Sequence, residues 1–93
     1  MIRSFRDGET ERIWLGSRSR RLPGDIQDPA LRKLRLLNRA ARLSDLRVPP
    51  GNRLEALSGN RAGQHSIRIN QQWRICFRWS DGHCDDVEIC DYH

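Results

Sequence analysis

The 93-residue chain, with 37% hydrophobic and 31% charged residues, is long enough for one small domain. A domain of this size buries roughly 60–65% of the surface that its unfolded chain exposes, which allows one compact core. No apolar run approaches the roughly 20 residues of a membrane span, and the charged N-terminus lacks the apolar stretch of a signal peptide, so we expect a single domain over residues 1–93 and a cytoplasmic location.

The net charge of +5 is unevenly distributed. Residues 1–50 carry twelve basic and six acidic residues, a net charge of +6, whereas residues 51–93 carry five and six, a net charge of −1. A basic field in one half of the chain favours a polyanionic partner, because each phosphate that is neutralised releases condensed counterions. Solubility through charge alone is the competing explanation.

The chain opens with a predicted strand and a predicted short helix. IRSF at 2–5 alternates apolar and polar residues, as a strand does. The run that follows Asp7 predicts a helix that stops near Gly16. The residues expected on the apolar side of this helix are Ile13, Trp14 and Leu15.

A basic loop is predicted next, over residues 17–27. This stretch has no hydrophobic period and mixes Ser, Pro and Gly with Arg18, Arg20 and Arg21. Such a loop can touch a phosphate backbone or can simply be solvated.

The clearest predicted helix is DPALRKLRLLNRAARL, which begins at residue 28. Asp28 suits the N-cap, and Pro29 suits the first turn, where a backbone N–H is not needed. Apolar residues recur at steps of three and four, at Leu31, Leu34, Leu37 or Asn38, and Ala41. The other face is cationic, with Arg32, Arg35, Arg39 and Arg42.

After a turn at RVPPGNR the hydrophobic period changes to two, which indicates strands. They are predicted at RLEAL, QHSIRI, WRICFRW and DDVEICD. Alternation places one set on an apolar face: Ile67, Ile69, Trp73, Ile75, Phe77, Trp79, Val87 and Ile89. It places another set on the opposite face: Arg68, Arg74, Cys76, Arg78, Glu88 and Cys90. The prediction is an α+β fold ordered β-α-α-β-β-β-β, a curved antiparallel sheet with two helices on its apolar face and an open, Arg-rich polar face.

The cysteine and histidine residues suggest two kinds of site, a zinc site and a cysteine nucleophile, and the sequence disfavours both. His83, Cys84, Cys90 and His93 have the ligand types of a zinc site, but a turn and a strand end replace the paired knuckles that such sites use. A cysteine nucleophile with His93 as its base lacks a flanking feature that would lower the thiol pKa. Cys76 and Cys90 share a face and are expected to act as small packing residues, and no disulfide is predicted from Cys76, Cys84 and Cys90.

RNA cleavage through the 2′-hydroxyl fits the remaining residues. It needs a base for the hydroxyl proton, a cation for the phosphorane charge and an acid for the leaving oxygen, and it needs no metal or other cofactor. His93 titrates near neutrality and can serve as base or acid. Arg74 can clamp phosphate, Tyr92 can stack on a base or bind phosphate, and Asp91 can orient the imidazole. Ordinary surface residues are the alternative reading of the terminal Asp-Tyr-His.

The motifs RLEALSGNRAGQ, SIRIN, QWRICF and the terminal DYH occur in order, after an opening MIRSF. Together they resemble the HigB branch of the RelE superfamily, the growth-inhibiting toxins of bacterial toxin–antitoxin pairs. The resemblance covers the whole chain and is weakest over residues 17–27. It implies a RelE-like α+β fold and a ribosome-dependent endonuclease that cuts mRNA in the ribosomal A site without a metal. It also implies neutralisation by a cognate helix-turn-helix antitoxin of the HigA type, in a complex that represses its own operon.

By the same resemblance, Arg74 matches the phosphate-contacting arginine of the family, and Asp91, Tyr92 and His93 match its C-terminal motif. Some family members have a catalytic His where this chain has Glu55, so a weaker toxin is one hypothesis, with Glu55 acting as a base or His93 acting alone. Side chains expected to contact RNA are Arg18, Arg20, Arg21, Arg32, Arg35, Arg39, Arg53, Arg61, Arg68 and Arg78. The alternatives are an inactive family member that acts as an antitoxin-binding co-repressor, and a free DNA-binding protein, which lacks a helix-turn-helix pattern.

Overall fold

A computed structural model describes residues 1–91, so the predicted site residues Tyr92 and His93 lie outside the described residues. The helices are α1 (Gly8–Trp14), α2 (Gly24–Arg39) and three short 3₁₀ helices at Leu43–Arg47, Pro50–Asn52 and Gly59–Arg61. The strands are β1 (Glu55–Ala56), β2 (His65–Arg68), β3 (Trp73–Ser80) and β4 (His83–Asp91). Neighbouring strands pair antiparallel in the order β1-β2-β3-β4. The predicted α+β fold is confirmed.

The core lies between α2 and one face of the sheet. Ala30, Leu34 and Leu37 of α2 are fully buried against strand residues that alternation had placed on the same face. These strand residues include Ile67, Ile75, Phe77 and Val87. Each large apolar side chain buried in this way contributes about 1.5–3 kcal/mol through the loss of water contact.

The predicted first strand is not a continuous strand. Residues 2–5 run parallel to β4 but pair with it only at two separate points, Ile2–Cys84 and Phe5–Val87. Between those points β4 bulges at Asp86, where φ is 53° and the backbone N–H donates to Ser4 Oγ at 2.9 Å. The bulge interrupts the ladder, so the N-terminal segment remains a pair of bridges.

Helix α1 begins at an N-cap, Asp7, whose carboxylate accepts a hydrogen bond from the Thr10 N–H at 2.7 Å. Ile13 is buried, as predicted, and Trp14 packs against Phe5 with ring centroids 6.4 Å apart. The prediction that Leu15 is apolar-facing is wrong, because Leu15 lies at the C-cap and is 72% exposed.

Helix α2 begins at Gly24, four residues before the predicted N-cap at Asp28. Gln27 explains the early start: its buried amide donates to the carbonyls of Ser19 and Leu22, both at 2.9 Å, and accepts from the Ser19 N–H at 3.0 Å. These bonds fix the turn that precedes Pro29, so the predicted cap at Asp28 is wrong and Asp28 is an exposed position inside the helix.

The C-terminal end of α2 also differs from the prediction. The helix ends at Arg39, and Ala40 adopts an extended conformation with ψ of 127°. The turn out of the helix buries Ala40 and exposes Ala41, which the sequence pattern had placed in the apolar stripe. Of the two alternatives, Leu37 is buried, while Asn38 is half-buried and accepts the Ile2 N–H at 2.9 Å. Among residues 1–91, no helix is both long and apolar enough to cross a membrane.

The polar face of the sheet is not open, in contrast to the prediction. Ser66 and Cys76 are buried on this face, and only 12% of the Arg74 side chain is exposed. Arg6 and Arg61 reach across it from outside the sheet to bind Glu88 of β4. Because these ion pairs cover the face, it forms a second, polar packed layer.

Candidate functional site

Arg74 stands at the centre of the polar layer. It lies on β3 between Arg68 of β2 and Cys90 of β4. Its Nη1 donates to Ser66 Oγ at 2.9 Å and lies 3.6 Å from Glu55 Oε1. A guanidinium that is this buried is held by its acceptors in one orientation, which is the condition for binding a phosphate bidentately.

Glu55 reaches Arg74 from the edge of the sheet. Its backbone is paired with Ser66, whose own partner on β3 is Cys76, so Arg74 lies two residues away along β3 and its guanidinium reaches Ser66 and Glu55 diagonally. The Glu55 side chain is 43% exposed, and its carboxylate therefore lies at the boundary between solvent and the buried guanidinium. An anion that approaches Arg74 from this side meets a carboxylate already in place.

Asp91 is the last residue of β4. It lies next to Arg74 in the pairing of β4 with β3, but its side chain points to the other face of the sheet. It pairs with Trp73, whereas Arg74 pairs with Cys90. Because adjacent residues of a strand point to opposite faces, the Asp91 side chain leaves the sheet on the side away from Arg74. There its Oδ2 accepts a hydrogen bond from Gln72 Nε2 at 3.0 Å. Asp91 thus fixes the end of the last strand, from which the chain continues to residues 92–93.

Glu88 organises the other half of the polar layer. Its two oxygens bind Arg61 Nη2 at 2.8 Å and Arg6 Nε at 3.1 Å, and Oε1 also lies 2.8 Å from Cys90 Sγ. Burial raises the pKa of this carboxyl, but the hydrogen bonds from Cys90 and Arg61 and the charges of Arg61 and Arg6 outweigh it, so the pKa is lowered. Glu88 is therefore an ionised structural anchor.

Four arginines near the sheet were predicted to contact RNA, and they differ in whether their side chains already bind another group of the protein. Arg61 is engaged in the Glu88 ion pair, and its pKa is raised by that hydrogen bond. The Nε atom of Arg68 donates to the carbonyl of Asn70 at 2.9 Å, and the Nε atom of Arg78 lies 3.6 Å from Asp86 Oδ2. Arg53 is exposed and follows the Pro50–Asn52 turn with a φ of 45°.

The basic loop is ordered by its own buried serine. Ser19 Oγ donates to Glu9 Oε1 at 2.6 Å and accepts the Arg21 N–H at 3.1 Å. Arg20 and Arg21 remain exposed, while Arg18 bonds Asp28 at 3.3 Å. The three loop arginines and two side chains of α1 line a cleft of about 380 Å³, formed by Glu9, Arg12, Arg18, Arg20 and Arg21.

The cationic face of α2 forms a separate shallow groove. Arg32, Arg35 and Arg39 are exposed along it, as predicted, and Leu36 forms part of its floor. Lys33 is different, because it hydrogen-bonds Asn52 Oδ1 and burial lowers its pKa. Neither this groove nor the basic cleft includes Arg74 or Glu55.

Residues 3–93 match the family model of the RelE-like toxin of type II toxin–antitoxin system HigB. The chain is 45% identical over 83 residues to Toxin HigB-1 of Vibrio cholerae, covering 88% of this chain and 87% of that protein. It is 29% identical over 86 residues to an uncharacterised protein of Haemophilus influenzae, with 91% and 85% covered. The toxin–antitoxin complex YoeB–YefM of Staphylococcus aureus shares the fold, with a TM-score of 0.61 at 18% identity over 100% of this chain and 98% of the matched chain. The family model covers nearly the whole chain, including the polar layer around Arg74, and the chain belongs to the HigB-type, RelE-like toxins of type II toxin–antitoxin systems.

Proposed function

We propose that this toxin is a ribosome-dependent endoribonuclease that cleaves mRNA in the ribosomal A site, working in the cytoplasm as one domain over the whole chain. The phosphodiester is broken by attack of the neighbouring 2′-hydroxyl, and translation stops because the message is cut. The observation that carries the proposal is the orientation of Arg74. Its side chain is only 12% exposed, and its guanidinium contacts both Ser66 and Glu55.

Arg74 would stabilise the charge of the pentacovalent phosphorane. The guanidinium is a cation that is already oriented, so little reorganisation is needed when charge develops on the phosphate oxygens. Removal of such a preorganised donor typically lowers the rate about 10²–10³-fold.

Proton transfer would be the work of the C-terminal residues. Asp91 anchors the end of β4 next to the Trp73–Arg74 segment. His93 follows two residues later and has an imidazole suited to act as base or acid, and Tyr92 would stack on a base or bind phosphate. In this proposal Asp91 positions the terminal pair through the backbone, because its side chain is hydrogen-bonded to Gln72 on the other face.

Cleavage of mRNA on purified ribosomes, followed by primer extension, tests the proposal. We expect Arg74→Ala, and separately deletion of residues 92–93, to reduce cleavage by at least about 100-fold, consistent with loss of transition-state contacts. Arg3→Gln is a matched control, because it breaks an Arg–Asp ion pair with Asp85 near the opposite end of β4. Cleavage by Arg74→Ala at the rate of Arg3→Gln would overturn the assignment.

Neutralisation by a cognate helix-turn-helix antitoxin of the HigA type, and repression of the operon by the complex, belong to the same proposal. The family membership and the toxin–antitoxin nature of the structural neighbours support it. Co-expression tests it: the antitoxin encoded beside the toxin should co-purify with it, restore growth, and bind operator DNA more tightly with the toxin than alone. Growth arrest that persists with the antitoxin bound would contradict neutralisation.

One observation favours a second candidate, a weak or inactive toxin that serves as co-repressor. The Glu55 carboxylate occupies Arg74 at 3.6 Å, where the proposed reaction needs a phosphate. Under this candidate, purified chain would strengthen operator binding by the antitoxin but leave ribosome-bound mRNA intact.

A further inference from the structure

The outer face of α2 carries a groove that lies apart from Arg74 and Glu55. One part of it, with a volume of about 340 Å³, is lined by Arg32, Lys33, Arg35, Leu36 and Arg39. A second part, with a volume of about 160 Å³, is lined by Leu36, Arg39, Ala40, Asp45, Leu46 and Val48. Because Leu36 and Arg39 line both parts, the two parts adjoin, and together they form what we call the α2 groove.

The floor of the α2 groove is apolar. Leu36 is half-buried, Leu46 is buried, and Val48 at the end of the second part is 70% exposed. Within residues 1–91, the exposed large apolar side chains are those of Met1, Leu15 and Val48, and Val48 lies in this groove. Apolar surface that is left exposed inside a polar rim is typical of a site that binds another molecule.

The rim of the α2 groove is cationic, and the protein itself does not neutralise it. Arg32, Arg35 and Arg39 are exposed, and their side chains form no ion pair with other residues in the described range 1–91. Their spacing of three and four residues places like charges next to each other twice along one helix face, which destabilises the helix slightly. An anionic partner would relieve this repulsion.

Asp45 is the acidic residue that lines the α2 groove, and its carboxylate is already engaged. Its Oδ2 accepts the backbone N–H groups of Ala41 and Arg42, both at 3.0 Å. These bonds hold the carboxylate at the start of the Leu43–Arg47 3₁₀ helix. The groove therefore has a cationic end along α2 and an apolar end at Val48, where a fixed negative charge lies nearby.

We propose that the α2 groove is the docking site of the antitoxin. An amphipathic segment of the antitoxin lies in the groove, with acidic side chains against the three arginines and apolar side chains against Leu36 and Val48. Charge complementarity selects the acidic residues, and burial of the apolar floor supplies affinity. The assignment rests on the antitoxin partner of the proposed function, whereas it does not depend on nuclease activity.

An RNA occupant would fit the arginines but not the floor. Arg32, Arg35 and Arg39 were predicted to contact RNA, and phosphates would neutralise them as well as carboxylates do. Interfaces with nucleic acid are, however, more polar and wetter than interfaces between proteins. A phosphate backbone in this groove would leave Leu36 and Val48 without an apolar partner, so the floor favours a protein.

A second copy of the chain is disfavoured by charge. In a symmetric dimer the same patch meets itself, so the arginines of one copy would lie close to those of the other. Like charges that face each other across an interface oppose association. The unneutralised rim therefore favours a partner of opposite charge.

Titration of the antitoxin encoded beside the toxin into full-length toxin, followed by calorimetry, tests the site without ribosomes. Val48→Asp places a negative charge at the apolar end of the groove, and we expect it to weaken binding at least about tenfold. Leu15→Asp is the matched control, because Leu15 is 72% exposed, against 70% for Val48, and lies at the C-cap of α1. It should bind the antitoxin as the parent does.

A charge reversal tests the cationic end. Arg35→Glu with Arg39→Glu should weaken antitoxin binding at least about tenfold, because acidic side chains would then meet like charges. Arg20→Glu with Arg21→Glu changes the net charge by the same amount at the basic cleft. Antitoxin affinity should stay at the parental value in this control.

A protection experiment does not require a loss of binding. The native thiols of Cys76, Cys84 and Cys90 belong to residues that are at most 8% exposed, so a maleimide reagent should label Val48→Cys selectively in the folded chain. We expect bound antitoxin to slow this labelling at least about tenfold, since the centre of an interface excludes water. Labelling of Leu15→Cys should not change. If Val48→Asp does not fold, this protection decides.

Each other outcome has a distinct meaning. If the parent binds no antitoxin, the partner assignment of the proposed function fails, and this proposal fails with it. If all groove variants bind like the parent, only the groove assignment is overturned. Weaker ribosome binding with unchanged antitoxin affinity in the arginine variant would identify rRNA as the occupant, and a toxin dimer that Val48→Asp dissociates would identify a second copy. A toxin that binds antitoxin through the groove but cleaves no mRNA would leave this proposal intact and overturn the nuclease.

Discussion

Glu55 neutralises the guanidinium that the proposed reaction directs at phosphate. An ion pair with one exposed partner is worth about 1 kcal/mol or less, so a phosphate can displace it, at some cost to affinity. We therefore expect Glu55→Gln, which removes the competing charge, to increase mRNA cleavage modestly. Glu55→His, which also adds a group that titrates near neutrality, should increase it further. Single-turnover cleavage on ribosomes measures both.

The comparison of the two Glu55 variants separates charge from proton transfer. A pH profile of cleavage that gains a new inflection only in Glu55→His would assign acid–base work to the added imidazole. If the parent is more active than either variant, Glu55 is itself a base and the hypothesis of a weakened toxin is wrong.

Ser66 is fully buried, and its Oγ accepts a hydrogen bond from the Arg74 guanidinium. Ser66→Ala removes one acceptor from a charged, largely buried donor, which should lower the free energy of unfolding by about 1–3 kcal/mol. Denaturant unfolding measures this loss, with the exposed Ser44→Ala as the control. An unchanged unfolding midpoint would show that water takes the place of the hydroxyl.

Only part of the site could be read from the sequence. Strand alternation correctly placed Arg74, Glu88 and Cys90 on one face, because that pattern depends only on local geometry. The contact of Glu55 with Arg74 could not be foreseen, since it depends on the register of β1 on β2. Ser66 was missed for a different reason: a serine in a strand has no distinctive pattern, although its alternation with Ile67 put it on the polar face.

Among the elements, α1 depends most on a single cap. It has only seven residues, and isolated helices of that length are unstable in water. Asp7→Ala removes the acceptor for the Thr10 N–H and should cost about 1 kcal/mol of unfolding free energy, whereas Asp7→Ser should keep most of it. Equal losses in the two variants, measured by denaturant unfolding, would mean that the cap contributes little.

The elements also show where local sequence signals are overruled. The existence and order of α1, α2 and β2–β4 followed from hydrophobic periodicity together with Gly and Pro signals, whereas the three 3₁₀ helices were not predicted. The start of α2 did not follow from these signals, because Asp28-Pro29 is a valid local start signal, whereas the buried Gln27 bonds reach back to Ser19 and Leu22 in a loop that has no hydrophobic period. The same holds for residues 2–5, whose strand-like alternation is correct but whose pairing is broken by a bulge in β4, a distant part of the chain.

The whole molecule should lose stability in acid. The pKa of Asp45 is lowered by backbone hydrogen bonds, that of Asp85 by Arg3, and that of Glu88 by Cys90 and arginine contacts that outweigh burial. Carboxyls with lowered folded pKa values stabilise the fold above their unfolded values of about 4, and this contribution is lost as pH falls through the folded values. Unfolding free energy measured from pH 7 to 3 should therefore fall below about pH 4.5.

Glu88→Gln isolates one part of that acid response. The variant should be less stable than the parent at pH 7, because two arginines lose their partner, but it should lose less on acidification. Parallel curves of unfolding free energy against pH would exclude Glu88 as a contributor.

The basic half of the molecule should determine how ribosome binding depends on salt. Arg20 and Arg21 are exposed at the basic cleft, whereas Arg18 is shared with Asp28, so the first two are the side chains to neutralise. If they contact rRNA phosphates, Arg20→Gln with Arg21→Gln should weaken ribosome binding and reduce the slope of log affinity against log salt by about one unit per lost contact.

Arg42→Gln with Arg47→Gln is the matched control, since it removes the same net charge from exposed positions outside that cleft. Equal slopes for the two double variants would mean that net charge alone, rather than this surface, drives binding.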